Sequence, residues 1–390
     1  MNFIFSLIRR IKSKVLRILY LHADKIRFPT KSRRILIIRT DGIGDYVLFR
    51  NFLPFLASLE KYKGYKFYLL GNQLHKTLAE TYDRNIFEKF IWIEPEIFAG
   101  TITPQRIKLA FKLKFKCFEI IINPCHSRTW EIDEFISKLG VRKVIGSRGD
   151  DCNYNSISLF NESFKFYTEL IEVPDISNFE FFRNRFFFEK LIGKNLYECD
   201  LTISSSSFQQ KAKGKIVIFP GAGNTLRRWK IENFWCVINE LDKIVNLKLE
   251  FIIAGSINEN LLAKEIVSNV NKGISISDCT GCLTLPELAE LIEESELIIS
   301  NETVAIHIAA ATKTTAICIS NGNHFGRFNP YPVSVRKNIY TVYPNEKFYD
   351  SHFQPSLTEE CSRKSPYDIN IINTKQVIET AITILLEGRN

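Results

Sequence analysis

The 390-residue chain has no run of 18 or more uncharged apolar residues, so nothing in it reads as a membrane-spanning helix. It also lacks a cysteine framework. Nine cysteines are scattered along it, an odd number without disulfide spacing, which suits free thiols in a reducing compartment. Its only CxxC, Cys279 to Cys282, has no second pair at zinc-binding spacing and no helix directly after its first Cys, so it reads as two loop thiols. Acid is scarce at the N-terminus, where residues 1–34 hold ten Lys and Arg against one carboxylate, Asp24. The net charge of the whole chain is +9, so the remainder is formally neutral. That excludes a nucleic-acid-binding surface spread over a basic folded domain.

What the N-terminus does have is amphipathic order. In "MNFIFSLIRRIKSKVLRILYLH", helical spacing puts Ile4, Leu7, Ile8, Ile11, Val15, Ile18 and Leu19 on one face. Arg9, Arg10, Ser13 and Arg17 fall on the other. An apolar stripe beside a cationic face is what lies in a membrane interface and is drawn to anionic headgroups. Packing of that stripe on the chain's own domain is the alternative. Charges interrupt every candidate signal-peptide core.

From residue 34 to about 190, β-branched runs alternate with helical patterns. The spacing predicts strands at 34–39, 66–71, 89–94, 118–124 and 142–147, with helices near 45–60, 73–83, 104–115 and 128–139. Continuous apolar strands separated by helices mean a parallel sheet covered on both faces. A Ser, Lys and Gln-rich stretch at 194–215 interrupts the pattern. Strands then return at 215–223, 248–256, 296–302 and 314–320, with helices near 231–243, 258–270, 284–294 and 303–311 and a last one at 371–388. The expected architecture is α/β, two tandem Rossmann-like domains with a cleft between them. Its parts are a basic amphipathic helix over 1–30, a first domain over 31–193, a linker over 194–214 and a second domain over 215–390.

Two glycine turns carry candidate chemistry. "RRILIIRTDGIGDYVLFRNFL", Arg33 to Leu53, is a strand, a turn and a helix, but it carries Asp41 and Asp45 where a phosphate would sit. In "IFPGAGNTLRRWKIENFW", the N–H groups of Gly221, Ala222, Gly223 and Asn224 suit a diphosphate, with Arg227 and Arg228 to neutralise it. A tight turn with solvated arginines is the alternative, and the loop does not match GxxxxGK[ST]. Glu259, past the next strand, suits either the hydroxyls of a ribose or a helix first turn. Asn301, Glu302 and Thr303 stand at a strand-to-helix junction, where Thr303 can cap and free N–H groups can hold a second face of a diphosphate. His307 follows one turn on, with a packed core histidine as the alternative. No GxGxxG follows either first strand, which counts against a nicotinamide-dependent oxidoreductase.

Taken together, "ILIIRTDGIGDYVL", "FPGAGNTLRRWKIENF", "DCTGCLTLPELAELIEESELIISNETVAIHIAAA" and "NGNHFGRFNPYP" resemble, in order and spacing, glycosyltransferase family 9, the bacterial lipopolysaccharide heptosyltransferases. The resemblance runs from about residue 34 to the C-terminus and leaves out the basic N-terminal segment. It implies a GT-B fold, with the acceptor held by the first domain and an ADP-activated sugar by the second. Transfer would invert the anomeric carbon without a metal or cofactor. The resemblance makes Asp45 the general base, because acid in the first turn removes a proton instead of holding an anion. It makes Arg227, where many relatives have Lys, the phosphate-binding cation and Glu259 the ribose-binding acid. Glu302, Thr303 and Val304 stand where relatives read Asp-Ser/Thr-Gly, with His307 in the family's histidine position. Val304 for Gly is the main departure, because a β-branched side chain restricts close approach and disfavours positive φ. Thr40, Gly44 and Arg128 are assigned to the acceptor. The expected partners are a nucleotide-sugar donor, a lipid-linked or oligosaccharide acceptor and an anionic membrane surface contacted by 1–30, with no nucleic acid. The expected location is cytoplasmic, peripheral on the inner face of the inner membrane. Val304 keeps open a second reading, a member that has lost catalysis and serves as a membrane-associated glycan-binding or assembly partner.

Overall fold

The computed structural model describes residues 14–25, 32–100, 102–174, 178–203, 211–244, 248–350, 354–362 and 364–387. The chain forms two compact units. One is built from Met1–Gly42, Phe52–Ser177 and Phe182–Tyr197, the other from Ile43–Asn51, Asn178–Phe181 and Glu198–Asn390.

Twelve strands are described: β1 (Arg34–Arg39), β2 (Lys66–Asn72), β3 (Phe87–Ile93), β4 (Ile120–Asn123), β5 (Lys143–Ser147), β6 (Glu169–Ile171), β7 (Ala212–Phe219), β8 (Glu250–Ile253), β9 (Ile276–Asp278), β10 (Ser295–Asn301), β11 (Thr315–Ile319) and β12 (Ile339–Val342). The helices are α1 (14–21 of the described residues), α2 (Ile43–Phe49), α3 (Leu53–Ala57), α4 (Lys76–Tyr82), α5 (Pro104–Lys114), α6 (Trp130–Lys138), α7 (Ile157–Ser163), α8 (Glu180–Ile192), α9 (Ile231–Asp242), α10 (Asn260–Asn269), α11 (Leu285–Glu294), α12 (Val304–Ala311), α13 (Gln354–Glu360) and α14 (Thr374–Glu387).

The first unit's sheet runs β3-β2-β1-β4-β5-β6 and the second's β12-β11-β10-β7-β8-β9, with every paired strand parallel. The continuous apolar runs foretold this: Ile35 to Ile38 and Ile216 to Ile218 are fully buried, as central strands covered on both faces must be. In each sheet the winding reverses at the middle pair, β1/β4 and β7/β10. Open α/β sheets bind ligands beyond the carboxyl ends of the strands at that switch point. In the second unit these ends are Pro220 onwards and Asn301 onwards.

Several sequence expectations change. The single helix expected over 45–60 is broken into α2, a 3-10 turn at Arg50–Phe52 and α3. Pro54 opens α3, and a proline there has no N–H to continue α2 and would crowd its preceding carbonyls. β7 begins at Ala212, inside the stretch read as linker. Of that stretch, residues 204–210 lie outside the described residues. So do Ile4, Leu7, Ile8 and Ile11 of the N-terminal stripe.

Candidate active site

The site assembles in the second unit around the carboxyl ends of β7 and β10. Asn301, the last residue of β10, pins the neighbouring loop. Its Nδ2 donates to the carbonyls of Pro220 at 2.6 Å and Gly221 at 3.2 Å, and its Oδ1 accepts from the Trp229 N–H at 3.1 Å. One buried amide therefore fixes both ends of the loop. Asn224 caps the 3-10 turn Thr225–Arg227 by accepting from the Leu226 N–H at 2.9 Å. Gly221 has a steric reason, since a Cβ there would fall 2.5 Å from Glu259 Cγ. Only glycine lets the Glu259 side chain lie along this loop.

The two adjacent arginines separate clearly. Arg228 donates from Nε to the Ala222 carbonyl at 2.8 Å and so buttresses the loop. Arg227 is half-buried, and among the described residues no carboxylate lies within ion-pair distance of it. Its charge reaches the buried side chains of Glu302 and His307. Arg227 is thus the cation of this pair left to meet an anion.

Of the two readings made for Glu259, the helix-start one is seen directly. Its Oε2 accepts from the Ser256 N–H at 2.8 Å and from the Ser256 hydroxyl, closing a capping box ahead of α10. Its carboxylate stays beside Gly221.

At the β10–α12 junction, Thr303 caps α12 by accepting from the Ala305 N–H at 3.2 Å, and its hydroxyl lies 3.0 Å from that of Ser300. Val304 is the first helical residue. The non-glycine residues with positive φ among those described are Arg33, Cys117, Lys313 and His324, so Val304 is in ordinary backbone. The departure from the family's glycine therefore costs no backbone strain here, and the cap geometry is intact.

Glu302 and His307 sit behind this surface instead of on it. Glu302 is buried, and its Oε2 accepts from the Ser320 hydroxyl, which also accepts from the Gly322 N–H at 3.0 Å. Burial pushes the Glu302 carboxyl up, opposed by the Ser320 hydrogen bond and the charge of Arg227. His307 is buried with its Nδ1 2.7 Å from the Tyr331 hydroxyl. Burial pushes its imidazole down to about 4. It is neutral at neutral pH and supplies no positive charge to a diphosphate. Both side chains underlie the β10–α12 junction where the resemblance puts the donor.

The acid turn joins this same unit through Gly44. A Cβ at Gly44 would stand 2.4 Å from His307 Cδ2 and 3.0 Å from Nε2, so the glycine exists to admit the histidine ring. One residue on, half-buried Asp45 in the first turn of α2 has its Oδ1 3.7 Å from Arg327 Nη2. Arg327 Nε lies 3.1 Å from Oε2 of Glu180, a buried acid whose backbone N–H donates to the Arg327 carbonyl at 2.8 Å. Arg327 thus bridges two carboxylates, with its guanidinium 4.8 Å from the Phe328 ring centroid. Nearby Phe325 anchors the loop in a small cluster with Tyr343, Phe348, Leu357 and Cys361. Sequence reasoning missed Arg327 and Glu180. Arg327 lay inside the quoted "NGNHFGRFNPYP" without a role, and nothing around Glu180 signalled one.

Thr40 and Arg128 belong to the first unit. The Thr40 carbonyl accepts from Asn72 Nδ2 at 3.3 Å, and neighbouring Asp41 pairs with buried Arg39 at 2.9 Å. Arg128 sits in a buried cluster of the first unit. Its guanidinium is fully buried 3.1 Å from the equally buried Asp133, and it donates to the Arg148 carbonyl at 2.9 Å. Tyr167 donates to the same Asp133 at 2.5 Å, and the Arg128 guanidinium lies 4.7 Å from that ring. The Asp133 carboxylate thus pairs the Arg128 charge inside the first unit's core.

Residues 155–355, more than half of the chain, match the family described as glycosyltransferase family 9 (heptosyltransferase). The chain belongs to glycosyltransferase family 9. A comparison with curated proteins finds no match. Among solved structures, the chain is similar to a family 9 glycosyltransferase from Veillonella parvula, at 16% identity and a TM-score of 0.65, covering 91% of this chain and 97% of that one. It is similar to E. coli ADP-heptose lps heptosyltransferase II at 15% identity and a TM-score of 0.60, covering 92% and 100%. It is also similar to E. coli heptosyltransferase WaaC with ADP-2-deoxy-2-fluoro heptose, at 15% identity and a TM-score of 0.62, covering 89% and 99%. These likenesses show the shared GT-B-like fold. The family 9 chain is accordingly a glycosyltransferase. Among its described residues no group of three or more His, Cys, Asp or Glu is placed to hold a metal ion.

Proposed function

We propose that this glycosyltransferase moves heptose from ADP-heptose onto a lipopolysaccharide-type or related glycan acceptor, by a single inverting displacement that needs no metal. Asp45 takes the proton from the acceptor hydroxyl as its oxygen attacks the anomeric carbon. The new C–O bond forms as the bond to the diphosphate breaks, and its electron pair leaves on ADP. Arg227, the 221–224 loop and the N–H groups at Thr303 and Val304 meet the charge that develops on the diphosphate. Glu259 suits the ribose. Leu226, next to Arg227, and Ile257 and Leu261, each two residues from Glu259, are exposed apolar side chains that suit a nucleobase face.

One observation carries the reading. A carboxylate in the first turn of α2 and the helix start at the β7/β10 switch point are locked into one unit by the Gly44–His307 contact. The ordinary backbone at Val304 means that this departure from the family's glycine brings no backbone strain to the helix start. Two roles go to residues of the NGNHFGRFNPYP loop and its partner: Arg327 orients the Asp45 carboxylate, and Glu180 fixes Arg327. Arg327→Gln is expected to lower turnover about tenfold while leaving nucleotide affinity unchanged, read as kcat beside a calorimetric Kd.

The proposed place of work is the cytoplasmic face of the inner membrane, where the chain is peripheral and its basic N-terminal segment meets anionic lipid.

Thermal unfolding with ADP, UDP, GDP and dTDP tests the donor. A ligand at about 100 times its Kd adds roughly 2.7 kcal/mol of stability. ADP is expected to raise the midpoint most, and Arg227→Ala to abolish that rise. A preference for another nucleotide would change the donor, and no response to any of them would overturn the proposal.

A further inference from the structure

Helix α1 gives the first unit a surface that neither its sheet nor the active site uses. Leu16 packs on the unit's core, and Tyr20 and Ala23 are buried in it. The Tyr20 hydroxyl donates to Glu134 Oε2 at 2.9 Å and accepts from Arg106 Nε at 3.2 Å. Arg106 and Glu134 are themselves paired at 2.5 Å. Lys138 Nζ donates to the Leu21 carbonyl at 3.1 Å and lies 3.8 Å from Asp24. Side-chain packing and four polar contacts therefore fix this helix to α5 and α6.

The face held down is not the apolar stripe that the sequence marks. Val15, Ile18, Leu19 and Leu21 are 50%, 57%, 47% and 45% exposed. At about 100° per residue, Ile18 projects opposite the Leu16–Tyr20–Ala23 face. Lys14, Arg17, His22 and Lys25 are exposed around it, while the one acid of this stretch, Asp24, lies beside Lys138. The helix therefore does pack on its own domain, the alternative weighed from the sequence, but through Leu16, Tyr20 and Ala23, leaving Val15, Ile18 and Leu19 of the stripe exposed.

We propose that α1 is a docking ridge held rigidly by the first unit. Val15, Ile18, Leu19 and Leu21 enter the interface of an anionic bilayer, and Lys14, Arg17 and Lys25 meet its headgroups. This rests on the peripheral-membrane reading and adds which face enters the bilayer and what holds it in place. The occupant is argued from charge: the sequence's whole net charge of +9 falls in residues 1–34, and of its cations Lys14, Arg17 and Lys25 are exposed on or just after α1.

The full chain is sedimented with vesicles of phosphatidylglycerol and phosphatidylethanolamine, and separately with phosphatidylcholine alone. Wild type is expected to bind the anionic vesicles and to bind phosphatidylcholine at least tenfold more weakly. A chain carrying Ile18→Glu and Leu19→Glu together is expected to lose at least tenfold in vesicle partitioning with its unfolding midpoint unchanged, because both side chains already face solvent. Full binding by that double variant would overturn the ridge and leave peripheral attachment standing. Absence of vesicle binding by wild type would overturn both. A wild-type dimer on gel filtration that binds no vesicles and falls apart in the double variant would assign the ridge to a second copy instead.

Discussion

An Asp45→Asn enzyme is expected to bind ADP as wild type does and to turn over roughly 10²–10⁴-fold more slowly, the range for loss of a positioned general base. Asparagine keeps the size and shape of the side chain. Arg327 keeps its 3.1 Å pairing with Glu180, so the loop that carries it has no reason to move. What disappears is the acceptor for the proton of the attacking hydroxyl. A fall in kcat at unchanged donor Kd would place the role in the transition state. Wild-type turnover would remove Asp45 from the chemistry. Loss of ADP binding along with turnover would make it a structural residue of α2.

The second large effect falls one residue earlier. Gly44→Ala puts a methyl 2.4 Å from His307 Cδ2, closer than side-chain carbons approach. The ring has little room to retreat, since it is buried and its Nδ1 is held 2.7 Å from the Tyr331 hydroxyl. Overpacking of this kind costs about 1–3 kcal/mol. The cheaper relief is a displacement of α2, which carries Asp45 with it. Gly44→Ala is therefore expected to lower both the unfolding midpoint and, more severely, turnover. Adding His307→Ala should restore much of the midpoint, because the clashing ring is gone. A double variant as unstable as Gly44→Ala would show that the clash is not the cause.

Much of this architecture was legible in the sequence because its central strands are unbroken apolar runs. β1 falls where "RILIIR" put it, and α9, α11 and α12 fall within a residue or two of their expected bounds. Thr284 with Glu287 and Thr303 mark helix starts by chemistry that a sequence displays directly. β6, β9 and β12 were missed because three or four residues carry too little periodicity to be seen. α8, "EFFRNRFFFEKLI", was missed because clustered phenylalanines favour strands and show no clean helical stripe.

The site was legible in its motifs and illegible in its partners. Only the Arg228 bond to the Ala222 carbonyl tells two adjacent arginines apart. Arg128 looked available because the buried acid that neutralises it is chosen by the fold. Glu180 and Arg327 meet across 147 residues of chain, which no local pattern encodes. Val304 looked damaging partly because a missing glycine strains the backbone where φ is positive, and φ is invisible in a sequence.

The most direct measurement is of the product. A truncated lipooligosaccharide acceptor is incubated with ADP-heptose and the wild-type enzyme, and the product is analysed by mass spectrometry and by NMR of its new anomeric centre. Addition of one heptose with inverted configuration, and none of it with Asp45→Asn, is the result expected. An ADP-binding protein that transfers no sugar would contradict catalysis, and a product with retained configuration would contradict a single displacement assisted by Asp45.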